Sequence, residues 1–226
     1  GWLRDGDAWY WLDPSSGAMA TGTAITNGRL SHFDSSGRWI SYIDQHPIIA
    51  QPSASQSSLI ASMTQVYLNT GRPYPTWALS SGGAGDITAF ATILYEEAAA
   101  EGISPELVFC QVMKETGWLQ FGGDVTASQF NFAGLGAVGG GAAGASFPSV
   151  RIGVRAQVQH LRAYADPWAS SATLAYPLVD PRFTYVRKGS APYIEYLGIQ
   201  ENPNGVGWAT AKNYGYDLVS MMDAYF

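Results

Sequence analysis

The chain has 226 residues, 46% of them hydrophobic, enough for one substantial domain with a real core and a small appended module. A net charge of −6, with only 12 Lys and Arg and no basic run, argues against nucleic acid as a partner. The single cysteine excludes an intrachain disulfide framework, and no apolar run is long enough to span a membrane.

Residues 1 to about 40 differ from the rest. GWLRDGDAWYWLDPSSGAMATG groups aromatics around an Asp5-Gly6-Asp7 turn, and the implied strands near Trp2–Leu3 and Trp9–Leu12 read as a β-hairpin. A degenerate copy comes next, Trp9–Asp13 aligning on Leu30–Asp34 and Ser16-Gly17 on Ser36-Gly37, with a period of 20 to 21 residues. Hairpins this short cannot bury their own apolar face, so they are expected to cap a longer array or to lean on the domain C-terminal to them. The chain opens inside this pattern without a signal peptide and reads as a piece of a longer protein.

From Ile48 to about Ser58 the sequence turns to Pro and Ser, a linker or surface strap. The expected division is a 1–44 repeat module and a 45–226 domain. Ser58 is the expected cap of a helix Leu59–Leu68, ended by Asn69-Thr70-Gly71 and Pro73. Asp86 caps a helix Ile87–Glu101, which Gly102 stops. Ser104 caps the next, with Pro105 at its first position and Glu106 in its first turn, running to about Thr116 and ending at Gly117. Leu107, Val108, Cys110, Val112 and Met113 leave that helix little polar surface, so it is expected at the centre of the domain, with Cys110 a small buried hydrophobe. Residues 117–149 are glycine-rich and end in AVGGGAAGASFPS; a loop that long is usually functional. A helix Arg151–Tyr164 and a last helical segment Trp208–Tyr225, interrupted at Gly215, complete the elements.

Glu115 is the residue best placed for chemistry. A carboxylate in a last helical turn meets the unfavourable end of the helix dipole, and partial desolvation raises its pKa further. A glutamic acid held protonated in this way can donate to a glycosidic oxygen. From the residues alone, a solvated Glu115 paired with a nearby Lys or Arg stays open. His32, His46 and His160 show no ligand spacing and the acidic residues form no calcium loop, so neither a metal nor a cofactor is expected.

MKETGWLQFGG followed by FNFAGLGAVGG resembles the catalytic helix and adjoining loop of the mannosyl-glycoprotein endo-β-N-acetylglucosaminidase-like family, glycoside hydrolase family 73. VDPRFTYVRKGSAPYIEYLG and GWATAKNYGYDLV resemble it too, so the likeness covers about residues 55 to 226. The resemblance implies a mainly α protein, a lysozyme-like catalytic domain behind the small N-terminal β-hairpin repeat module. It also implies cleavage of peptidoglycan between N-acetylglucosamine and N-acetylmuramic acid by a secreted enzyme at the Gram-positive cell wall. Carried over by position, it makes Glu115 the general acid and Tyr214 a tyrosine lining the cleavage site. Asn131, Phe132, Ala133 and Gly134 would shape the groove floor, with Asn131 hydrogen-bonding an acetamido or hydroxyl group. Trp118, Phe121, Tyr193, Tyr196, Trp208 and Tyr216 are sugar contacts or core packing.

Many members of that family carry a second acidic residue on a flexible lobe. Here the corresponding window, Ala145 to Val154, reads ASFPSVRIGV and holds none, which leaves Asp124, then Glu195 and Glu201, as candidate auxiliary acids. The empty window motivates a route in which the substrate's own N-acetyl group attacks the anomeric carbon, with Tyr214 supporting the charge. The first repeat resembles choline-binding-type wall repeats, Trp2, Trp9 and Trp11 matching their aromatic pattern. Leu30, Ser31 and His32 break that pattern in the second copy. The expected partners are peptidoglycan strands, with choline or teichoic acid through the repeats, and the expected state is a monomer. A muramidase or lytic transglycosylase on the same fold, and a catalytically silent wall-binding protein, are the competing readings.

Overall fold

The computed structural model describes residues 1–27, 29–42, 45–137 and 144–226, with the side chains of Arg29, Ser41 and Tyr42 left aside. Two small antiparallel β elements precede a largely helical domain. Strands β1 (Trp2–Asp5) and β2 (Ala8–Trp11) form the first hairpin, in the register Trp2 opposite Trp11. Strands β3 (Gly22–Thr26), β4 (Arg29–Phe33) and β5 (Trp39–Tyr42) form a three-stranded sheet in chain order.

The internal repeat is visible in its turns. Asp13 accepts from the backbone N–H groups of Ser15 and Ser16, and Asp34, one period later, accepts from those of Ser36 and Arg38. Trp2 is the hub of the module, its ring 5.4 Å from Trp11, 6.3 Å from Trp9, 6.0 Å from Phe33 and 5.9 Å from Trp39. Arg4 lies over the Trp9 ring. Packing of these rings on one another accounts for the Trp2, Trp9 and Trp11 pattern. On the far side Ile25 packs against the helical core, so the module leans on the domain.

The domain contains α1 (Gln56–Asn69), α2 (Thr76–Leu79), α3 (Ile87–Ala100), α4 (Pro105–Thr116), α5 (Val150–Ala165) and α6 (Tyr214–Tyr225). Asp86 and Ser104 cap α3 and α4 through the N–H groups of Ala89 and Leu107, as the sequence predicts. The first helix starts earlier than expected, because Ser55 and not Ser58 is its cap. Helix α3 packs against α1, α4 and α5, and α4 against α6, which leaves ten of the twelve α4 residues buried. Cys110 is among them, and burial pushes its thiol far up, as a small hydrophobe rather than a nucleophile. Glu97, buried on α3, receives Arg151 and Arg155 from α5, an ion-paired clamp between the two helices.

The Pro/Ser stretch is a strap. Ile48 is fully buried, its N–H reaching Pro192 and its carbonyl taking the Ser104 N–H, while Glu106 accepts from the Ser53 N–H. Ile43 and Asp44, at the expected module boundary, lie outside the described residues, as do positions 138–143 of the glycine-rich loop.

The last helix differs most from expectation. It begins at Tyr214, and Trp208 lies in the preceding loop, where its N–H bonds to Leu197 O at 2.7 Å. Gly215 sits inside the helix and does not interrupt it. A Cβ there would stand 2.2 Å from the Ile194 carbonyl oxygen and 2.5 Å from the Glu195 Cα, so the glycine lets α6 cross that backbone closely. Gly215→Ala should therefore push α6 outward at a cost of about 2 kcal/mol or more, read as a lower urea midpoint at unchanged slope.

Candidate active site

Glu115 occupies the last turn of the buried helix α4, beside Gly117, which ends the helix in the left-handed conformation (φ 59°). Trp118 (φ 64°), Leu119 (φ 59°) and Phe121 (φ 53°) continue in that region. Bulky side chains adopt it only at a cost, of order 1 kcal/mol or more each. Thr116 holds the turn: its hydroxyl bonds Val112 O at 2.7 Å and accepts the Leu119 N–H at 2.8 Å, and its carbonyl takes the Gln120 and Phe121 N–H groups. The chain is thus turned sharply away from Glu115, which keeps part of its surface in water.

The carboxyl of Glu115 is crowded on its inner side. Loss of hydration raises its pKa above the ordinary glutamate value, against the lowering effects of hydrogen bonds from Tyr214 and Trp208 and of the Lys114 charge. Lys114 is itself bound to Asp217 at 2.8 Å, which limits its pull on Glu115. Tyr214, 3% exposed at the start of α6, donates its O–H to Glu115 Oε1. Burial and the neighbouring Glu115 push the Tyr214 phenol well up, so it stays a donor.

Two residues that carry no motif in the sequence complete this arrangement. Gln157 on α5 donates to Gln111 on α4 at 2.8 Å, and Gln111 donates to the Tyr214 hydroxyl oxygen at 3.1 Å. Because Gln111 already supplies a proton to that oxygen, the phenol's own proton is directed at Glu115. A signal for them exists in outline: Gln111 is a polar residue in an otherwise apolar stretch, four positions before Glu115 and so on its face. Glu201 accepts the Asn213 N–H at 2.8 Å, fixing the left-handed residue (φ 62°) from which Tyr214 enters its helix.

The other expected site residues separate. Ala133, Gly134 and Trp208 line a cavity of about 240 Å³ with His160, Tyr164, Arg182 and Tyr185. Asn131 is buried, and its amide is spent on the loop, donating to Leu135 O and Ala145 O and accepting the Leu135 N–H at 3.0 Å. It braces the floor and has no group left for a sugar. Phe132 is fully buried against Phe90, and Trp118 packs edge-on against Phe109 and Tyr225. Phe121 lines a second cavity, of about 470 Å³, with Trp77 and Gln120. Tyr193 packs on Tyr196 and bridges to Pro47, away from the Trp208 cavity. Tyr216 and Glu201 line a groove against the β3–β4 hairpin. Asp124 is exposed on its turn and lines neither the Trp208 cavity nor the Phe121 cavity. Glu195 is buried and accepts from His46, a structural pair. No cluster of metal-ligating side chains exists among the described residues.

The model of the glucosaminidase family, mannosyl-glycoprotein endo-beta-N-acetylglucosaminidase, matches residues 91–226. This chain belongs to that family. The match begins within α3 and contains Glu115, the strained turn, the Trp208 cavity and Tyr214. An uncharacterized protein of Borreliella burgdorferi is 37% identical over 136 residues, 60% of this chain and 61% of that protein's length. The chain therefore spans about three-fifths of this curated relative. No solved structure matches.

The hydrogen bond from Tyr214 holds the Glu115 pKa down against desolvation. Tyr214→Phe should raise it further, so that the high-pH limb of the activity profile moves to higher pH while the maximal rate falls. Stability obeys the same linkage. A carboxyl whose folded pKa exceeds its unfolded value destabilises the fold as pH rises through the folded value. Glu115→Gln should therefore melt higher than wild type at pH 8, with the gap closing below pH 4.

Proposed function

We propose that this glucosaminidase-family domain hydrolyses the β-1,4 bond on the reducing side of N-acetylglucosamine in peptidoglycan, with Glu115 as the general acid. The observation that carries this reading is the position of Glu115, exposed in the last turn of an otherwise buried helix with the buried Tyr214 donating to its carboxyl, a setting in which lost hydration raises its pKa. Family membership supports the substrate class.

In the first step the acetamido oxygen of the bound N-acetylglucosamine attacks the anomeric carbon. The bond from that carbon to the leaving O4 breaks, and Glu115 gives its proton to O4. In the second step water attacks the anomeric carbon of the resulting oxazolinium ion and gives a proton back to Glu115. The ring oxygen–carbon bond of that intermediate opens, restoring the acetamido group with net retention. Support for this route comes from where the other carboxylates stand: Glu97, Glu106, Glu195 and Asp180 are each committed to cations, histidines or backbone donors. Tyr214 acts through Glu115, since its proton is committed there and not to the sugar.

Digestion of purified peptidoglycan, borohydride reduction and mass spectrometry test the reading. Wild type should leave reduced glucosaminitol ends, and Glu115→Gln should lower their yield by about two to four orders of magnitude. Muramitol or anhydromuramic ends would instead assign a muramidase or a lytic transglycosylase. An α-anomer formed first would exclude the acetamido route.

A further inference from the structure

The cavity next to Trp208 carries a feature that cleavage of an N-acetylglucosamine bond does not itself require. It is lined by residues 133–137 together with His160, Tyr164, Arg182, Tyr185, Val186 and Trp208. Trp208 also lies close enough to Glu115 to act on its carboxyl, so the cavity adjoins the proposed reacting position. In a protein of net charge −6, this lining holds a guanidinium and a histidine and no carboxylate.

Arg182 is exposed, and among the described residues its guanidinium forms no hydrogen bond and no ion pair. Its support is the Tyr185 ring, 4.5 Å beneath it. The arginines of α5 contrast with it: Arg151, Arg155 and Arg162 are all paired with Glu or Asp side chains. His160 is oriented from behind, its Nδ1 bonded to the buried Asp180 at 2.7 Å, while its ring stands edge-on to Trp208 at 5.0 Å. That fixes the ring and leaves Nε2 for a ligand. The nearby Asp180 oxygens are already occupied by His160 and the Arg182 N–H.

From this we infer that the cavity is a carboxylate-recognising subsite, in which Arg182 binds an acidic substituent of the wall sugar adjoining the cleaved residue. Guanidinium and carboxylate match in charge and in two-pronged geometry, and a planar guanidinium stacked on a ring is already organised for such a pair. On wall glycan the carboxylate comes either from the lactyl ether of N-acetylmuramic acid or from its peptide stem. This inference rests on the proposed substrate class and adds a selectivity to it: acidic wall glycan over a neutral amino-sugar polymer.

Calorimetric titration tests it without depending on turnover. Glu115→Gln, and the same protein carrying Arg182→Gln, are titrated with three soluble glycans: stripped of stem peptides, stripped with the lactyl carboxyls amidated, and with stems intact. Arg182→Gln should weaken binding of an acidic glycan about tenfold and leave the amidated glycan unchanged. A loss on the stripped glycan assigns the lactyl carboxylate, and a loss only with stems intact assigns the peptide. Equal losses on all three glycans, or none on any, would overturn the inference. Absence of glucosaminitol ends in the digest would count against the catalytic reading alone. Because Arg182 is exposed and its guanidinium holds no other element in place, its replacement leaves the fold intact, which an unchanged melting temperature checks.

Discussion

One carboxyl has to satisfy two opposed requirements, and most of the domain can be understood from how it does so. In the proposed reaction Glu115 must reach a sugar from the protein surface, yet lose enough hydration to keep a proton above the ordinary glutamate pKa. A helix interior would bury it and a loop would wet it. The last turn of α4 does neither, because the preceding turns are locked into the core by α3 and α6 while Gly117 turns the chain away immediately afterwards. The left-handed backbone at Trp118, Leu119 and Phe121 is the cost of that turn, and the hydrogen bonds to Thr116 offset it.

The surrounding polar groups divide according to this requirement. Glu97, Glu106 and Glu195 are buried and matched by arginines, a hydroxyl, backbone donors or a histidine, so that helices α3, α4 and α5 and the strap hold together. Burial also raises the Glu101 pKa, but Glu101 accepts the Ala175 N–H and serves the fold. Around Glu115 the pattern inverts. Its nearest cation is drawn off to Asp217, and its partners are the neutral donors Tyr214 and Trp208. The chain from Gln157 through Gln111 to Tyr214 orients one proton toward Glu115 without adding charge, preserving a raised pKa that an ion pair would cancel.

What the sequence displays is whatever depends on local chemistry. The caps at Asp86 and Ser104, the stop at Gly117 and the apolar run that puts α4 in the core act within a few positions, and all are read correctly from neighbouring letters. The hairpin period is legible because turn chemistry repeats with it at Asp13 and Asp34. Glu115 and Tyr214 are reached by resemblance, and the structure brings them into contact across 99 positions. The misassigned features depend on distant partners. Gly215 reads as a helix break unless one knows that Ile194 crosses it. Asn131 reads as a sugar ligand unless one sees that Leu135 and Ala145 consume its amide. Arg182 carries no signal, since a cation without a partner is defined only by what surrounds it in space, and neither does His160, whose partner Asp180 lies 20 positions away.

The measurement that tests the central claim most directly is a carbon-13 NMR titration of the Glu115 carboxyl in glutamate-labelled protein, with Glu115→Gln providing the assignment. A pKa clearly above the ordinary glutamate value of about 4.3 is the result this account predicts. A value at or below it would mean that Tyr214, Trp208 and Lys114 outweigh desolvation. Glu115 would then be a carboxylate at working pH, and a different residue would have to donate the proton.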